Sequence, residues 1–311
     1  MTNYKIAFFI FFVSFILIFP TTAYSQAIPD WVRTVAYYWS QGTISDTEYK
    51  NAMKFLIENG IMTISNNQFG NQVIVDNGDF YVEYYEPDDQ YYNQIMFWAM
   101  DNEEWLINLS GINGIKLPYD VEIAFDQCDT SNAFYDSEYR QIVLCYELID
   151  EIIRIQSEYY NSEEEIRFAV QDTVYEILLH ELGHGLIDIY NIPITGKEED
   201  AVDQLATIIL LSEGQQGINA LYAAANWYDF WGKQVTSVDD LPFYDEHSFD
   251  MQRFYSILCF VYGSDPEINY ELVSFVPFYY EGESERWSWL CIEEYEKISN
   301  SWNYFLEPLW N

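Results

Sequence analysis

The chain has 311 residues, half of them hydrophobic and 19% aromatic, and a formal net charge of −38. So acidic a surface repels nucleic-acid phosphates and anionic membranes, which argues against both as partners; it attracts cations, and its plainest reading is a solvated surface. The apolar content supports a real core, enough for one large domain and a small second one.

The first residues, MTNYKIAFFIFFVSFILIFPTTAYSQA, read as an export signal. One lysine precedes an apolar run from Ile6 to Phe19, and Ala23 and Ser25 stand at −3 and −1 of a cut before Gln26. The run is shorter than the ~20 apolar residues of a membrane span. Residues 1–25 are therefore expected to be a cleaved signal peptide, the alternative being a retained anchor. The mature chain is expected to be secreted or at the cell surface and off the membrane.

Residues 26–65 fit a helical hairpin. A first helix runs from about Asp30 to Gln41 and stops at Gly42. A second opens with Ser45 and Glu48 as a capping box, carries Tyr49, Met53, Leu56 and Ile57 at helical spacing, and ends at Gly60. This segment resembles a short Trp-rich module of exported archaeal proteins. Residues 66–78, polar and with an Asn77-Gly78 turn signal, read as a linker with a short strand. The remaining domain, 79–311, starts with a strand in DFYVEYYEP and a helix in NQIMFWAMDNEEWLINLSGI. That helix ends near a glycosylation acceptor pattern, Asn108-Leu109-Ser110. Two strands, in LPYDVEIAFDQC and RQIVLCYEL, flank a loop, DTSNAFYDSEY.

Four cysteines in an exported chain read as two disulfides, with three possible pairings. Joining Cys128 to Cys145 and Cys259 to Cys291 closes short local loops, the first at the base of the DTSNAFYDSEY loop. A cysteine zinc site would want a C-x-x-C pair, and the sequence has none.

From Ser162 the pattern is helical, and the helix is expected to run from about Glu163 to Ile189. It contains EILLHELGHGLIDIY, with two of the three histidines in the chain. His180 and His184 are four apart and share a helix face, so both imidazoles can meet one cation. Glu181 lies about 100° round and reaches a water on that cation. This is H-E-x-x-H, the zinc-peptidase pattern. NIPITG breaks the helix, and a second, antiparallel helix starts in KEEDAVDQLA. There Glu199 and Asp203 again share a face. Glutamate completes a His₂Glu zinc site and aspartate holds a ligand histidine from behind. Glu198 has no acid four residues on, and Thr195-Gly196-Lys197-Glu198 fits a capping box, so Glu198 is expected to serve the helix start. Tyr190 stands where a third histidine of the longer H-E-x-x-H-x-x-G-x-x-H pattern would be, and Ile187 where its glycine would be. The remainder reads as mostly helical.

CDTSNAFYDSEYRQIVLCYEL, HELGHGLIDIYNIPITGKEEDAVDQLA and DEHSFDMQRFYSILCFVYG together resemble a family of metallopeptidases, once grouped only as a domain of unknown function, over residues 79–308. The resemblance implies an α+β, zincin-like fold, mostly helical with a small sheet. It also implies that His247 and Arg253 lie near the active site.

The expected enzyme is a gluzincin-like zinc metallopeptidase with one zinc per chain on His180, His184 and Glu199. The metal lowers the pKa of a water toward ~7 and Glu181 acts as general base. His247 is the first candidate for the donor to the tetrahedral oxyanion, with Arg253 or a tyrosine of NAFYDSEY behind it. Asp203 and Arg253 back the ligands. The expected partner is a peptide or protein substrate. Two other classes remain: a zinc-binding surface protein without catalysis, and a zinc hydrolase of another amide or ester.

Overall fold

The structure, a computed structural model, describes residues 34, 35, 37–39, 41, 43–58, 76–104, 106, 112–278, 280 and 282–310. The chain divides into two compact units, Met1–Gln72 and Val73–Asn311. In the first, helix α1 spans Asp46–Glu58. Ser45 opens it as expected: the Glu48 amide donates to Ser45 Oγ at 3.3 Å and the Ser45 amide to Glu48 Oε2 at 2.8 Å. The export signal, Gly42, Gly60, the linker through residue 75 and Asn108-Leu109-Ser110 lie outside the described residues.

The second unit is a small mixed sheet beside a helical stack. Its strands are β1 (Phe80–Tyr84), β2 (Val121–Asp126), β3 (Ala133–Asp136) and β4 (Gln141–Cys145), in the order β1-β2-β4-β3. β1, β2 and β4 are parallel, and β3 runs antiparallel to β4 at the edge. The β1–β2 crossover holds helix α2 (Asn93–Glu103), as a parallel pair requires a long connection. Ile123, Ala124, Phe125, Ile142 and Leu144 are all about 1% exposed or less, so the central strands face apolar neighbours on both sides.

Two expectations need correction here. The DTSNAFYDSEY segment is not wholly loop: AFYD is the edge strand β3, made by pairing with β4 and not by any strong pattern of its own. The RQIVLCYEL strand stops at Cys145, and helix α3 (Tyr146–Tyr159) starts at once. Its helical face is Leu148, Ile149, Ile152 and Ile155, all buried.

Helix α4 (Glu163–Tyr190) is the hub. Ser162 and Glu165 form a capping box at its start. Asn191, in the left-handed region at φ 50°, ends it just before Pro193. From Ala169 to Ile187 most of the helix is buried, with Leu178, Leu179 and Leu186 fully enclosed. Each such leucine contributes roughly 1.5–3 kcal/mol by leaving water. α4 packs on α3, on α5 (Glu198–Ser212), on α6 (Gln215–Gln234) and on β3 and β4. Helices α7 (Asp250–Ser264) and α8 (Glu283–Leu306) extend the stack beyond α6. The disulfides are Cys128–Cys145, beside the β2–β3 connection, and Cys259–Cys291, which ties α7 to α8. Among the described residues no helix is long and apolar enough to cross a membrane.

Candidate metal centre

Two glycines of HELGHG let the neighbours of α4 come close. A Cβ on Gly183 would lie 2.8 Å from Val202 Cβ of α5, and one on Gly185 would lie 3.3 Å from the Tyr135 ring of β3. Without side chains there, α5 can bring its first turn up to the histidines and β3 can lie along the same helix. Tyr135 Oη donates to Asp188 Oδ2 at 3.0 Å and fastens the strand to the helix.

The two helices run in opposite directions, so earlier residues of one meet later residues of the other. His180 Nδ1 is 2.7 Å from Asp203 Oδ1, and His184 Nδ1 is 2.8 Å from Glu198 Oε1. A carboxylate only accepts, so each Nδ1 carries the proton, and in the neutral ring Nε2 keeps its lone pair. Both Nε2 atoms come close to one atom: Glu199 Oε2 lies 3.2 Å from His180 Nε2 and 3.4 Å from His184 Nε2. His247, from the connection between α6 and α7, adds a third Nε2 at 3.0 Å from the same oxygen.

None of these three contacts has hydrogen-bond geometry, so Glu199 Oε2 is a buried acceptor without a hydrogen bond. Converging lone pairs repel one another unless a proton or a cation stands among them. In the metal-free chain, protons fill that need. Burial pulls His180 down, but Asp203 and Glu199 outweigh it and push the imidazole up to about 10. Burial likewise pulls Glu199 up, and the three imidazoles overcome it, holding the carboxyl far below its usual range. A divalent cation would serve better. Donors about 2.0–2.1 Å from a tetrahedral ion are about 3.3–3.4 Å apart, close to the separation of each nitrogen from Glu199 Oε2, and donors of His180, Glu199 and His247 all lie within 4.8 Å of one another. The orphaned oxygen and the donor set therefore fit a bound metal.

Behind His180 the support is layered. Arg253 donates from Nε to Asp203 Oδ2 at 2.8 Å and from Nη2 to Oδ1 at 2.6 Å, a bidentate pair. Its guanidinium lies 4.2 Å from the centre of the Tyr228 ring, whose Oη is 3.5 Å from the buried Glu176. Burial raises the Asp203 carboxyl, but Arg253 and His180 prevail and hold it at about 2. Glu181 is 7% exposed and lines a cleft of about 830 Å³ together with the histidines, Glu199 and β3. Burial raises its carboxyl against the pull of the two helix histidines and a hydrogen bond from the Tyr135 backbone.

The structure thus brings His180, Glu181, His184, Glu199, Asp203, His247 and Arg253 to one place. One expectation fails. Glu198 does not cap α5, whose N-cap is Lys197 with no side-chain bond; it reaches back to His184. Sequence reasoning also passed over Asp245, which takes His247 Nδ1 at 3.2 Å and could have been noticed as an acid two residues before a histidine. Tyr228 and Glu176 carry no local signal at all.

The family described as "Putative metallopeptidase" matches residues 81–306. The chain belongs to that family. The match spans β1 through α8 and every residue of the centre, whereas α1 lies outside it. No curated protein and no solved structure matches the chain. Membership in the family implies a metal and a hydrolytic reaction on peptides, which agrees with the donor set found here.

Proposed function

We propose that this chain is an exported, zinc-dependent peptidase of the gluzincin kind. The observation that carries the reading is the approach of His180 and His184 Nε2 to one oxygen of Glu199, with Glu181 in the same cleft. Nitrogen and oxygen donors at this spacing suit zinc, whereas magnesium and calcium take six or more oxygens. When bound, zinc supplies Lewis acidity to a water and to a carbonyl in the cleft.

The chain supplies the rest. Asp203 and Glu198 fix the two helix imidazoles with Nε2 inward. Glu181 takes a proton from the attacking water and returns it to the departing amide nitrogen; a carboxyl raised by burial lies nearer the working pH and does both. Peptide substrates are favoured by the sheet edge. β3 pairs with β4 on one side only, and its Ala133, Phe134 and Tyr135 line the cleft. An extended peptide can add to such an edge through main-chain hydrogen bonds. Two disulfides support export.

The test is incubation of the zinc-loaded chain with a peptide library, with and without chelator. Chelator-sensitive cleavage is expected, reduced about 10²–10⁴-fold in Glu181→Gln with zinc content unchanged. Full activity in that variant, or cleavage indifferent to chelator, overturns the assignment.

A further inference from the structure

His247 is equipped like the two helix histidines. Each of the three imidazoles places Nδ1 on a carboxylate: His180 on Asp203 at 2.7 Å, His184 on Glu198 at 2.8 Å, His247 on Asp245 at 3.2 Å. Each also brings Nε2 close to Glu199 Oε2, and His247 is the nearest of the three at 3.0 Å. The carboxylate–imidazole pair with the other nitrogen turned inward is how proteins prepare a histidine to bind metal. Ligand atoms of His180, Glu199 and His247 lie within 4.8 Å of one another. An oxyanion donor should face the space where substrate charge develops. The Nε2 of His247 lies 3.0 Å from a ligand oxygen instead.

We propose that His247 is a displaceable additional ligand of the metal. The inference rests on the zinc reading above and deepens it: with His247 bound, the position needed by water is closed, and it opens when His247 withdraws. Its setting suits withdrawal. His180 and His184 sit on a buried helix with side chains 7% and 17% exposed, whereas His247 sits on the 235–249 connection and is 40% exposed. That connection is held to the start of α5 by polar contacts at the surface. Lys197 Nζ donates to the Asp245 and His247 carbonyls at 3.3 and 3.1 Å, and Ser248 Oγ to Asp200 Oδ1 at 2.6 Å. No residue of 235–249 is itself fully buried.

Cobalt and zinc binding to the full chain test the proposal without reference to activity. His247→Ala should weaken zinc in a competitive titration by at least the about 10–100-fold seen when a ligand's supporting partner is lost, and should change the cobalt absorption spectrum as water replaces nitrogen. Asp245→Ala, which keeps the imidazole, should weaken zinc by a smaller factor and serves if His247→Ala does not fold. Wild-type affinity and an unchanged cobalt spectrum in both variants overturn the inference while leaving the zinc site intact. A wild-type chain that takes up neither metal overturns the zinc reading itself.

Discussion

His180 and His184 leave the same face of one helix, a turn apart, and yet occupy different surroundings. His180 stands on an inner wall where each partner is itself held: Asp203 by Arg253, Arg253 by the Tyr228 ring, and Tyr228 near buried Glu176. His184 stands on a rim, and its partner Glu198 is 48% exposed. The contrast teaches that a symmetrical motif need not produce symmetrical ligands. The inner imidazole is fixed by a largely buried network; the outer one leans on a half-exposed carboxylate.

The largest effect should come from the inner wall. Arg253→Ala leaves Asp203 without its bidentate partner, and we expect a loss of about 2–4 kcal/mol in unfolding free energy, read by denaturant titration. A loss below about 0.5 kcal/mol would mean that the network does not hold the inner wall. Next, Asp203→Asn should lower zinc affinity about 10–100-fold in a competitive titration.

Acidity should separate the walls further. In the metal-free chain the raised His180 imidazole adds stability that is complete below its unfolded pKa of ~6.5 and is lost as pH climbs toward about 10. Zinc must displace that proton, so its affinity should rise with pH over the same interval. Asp203→Asn removes a main cause of the shift and should flatten the rise, as titrations from pH 6 to 9 would reveal. The smallest effect belongs to the rim. Glu198→Gln should cost less than about tenfold in zinc affinity, and less again at high salt, because an exposed charge is screened. An effect equal to that of Asp203→Asn would erase the distinction between the walls.

Much of the site was readable before any coordinates, for a local reason. His180, His184, Glu199 and Asp203 are pairs four apart on helices, and helical periodicity alone puts each pair on one face. The break at NIPITG, beginning with the left-handed Asn191, then turns one helix back on the other. What could not be read depends on contacts distant in sequence. Arg253, which only the family resemblance pointed to, meets Asp203 across fifty residues, and β3 exists because β4 pairs with it. Glu198 misled because a capping box and a histidine partner demand the same residue type, and only the packing of α5 on α4 decides between them. Helix α3 was missed because it follows β4 with no turn residue between Cys145 and Tyr146.

The central claim is that Glu199 Oε2 and the imidazoles around it gather one divalent ion. Zinc content and affinity of wild type against Glu199→Ala measure that most directly. The account predicts one zinc per wild-type chain and none retained by the variant. A variant that holds zinc as tightly as wild type would place the ion elsewhere and contradict it.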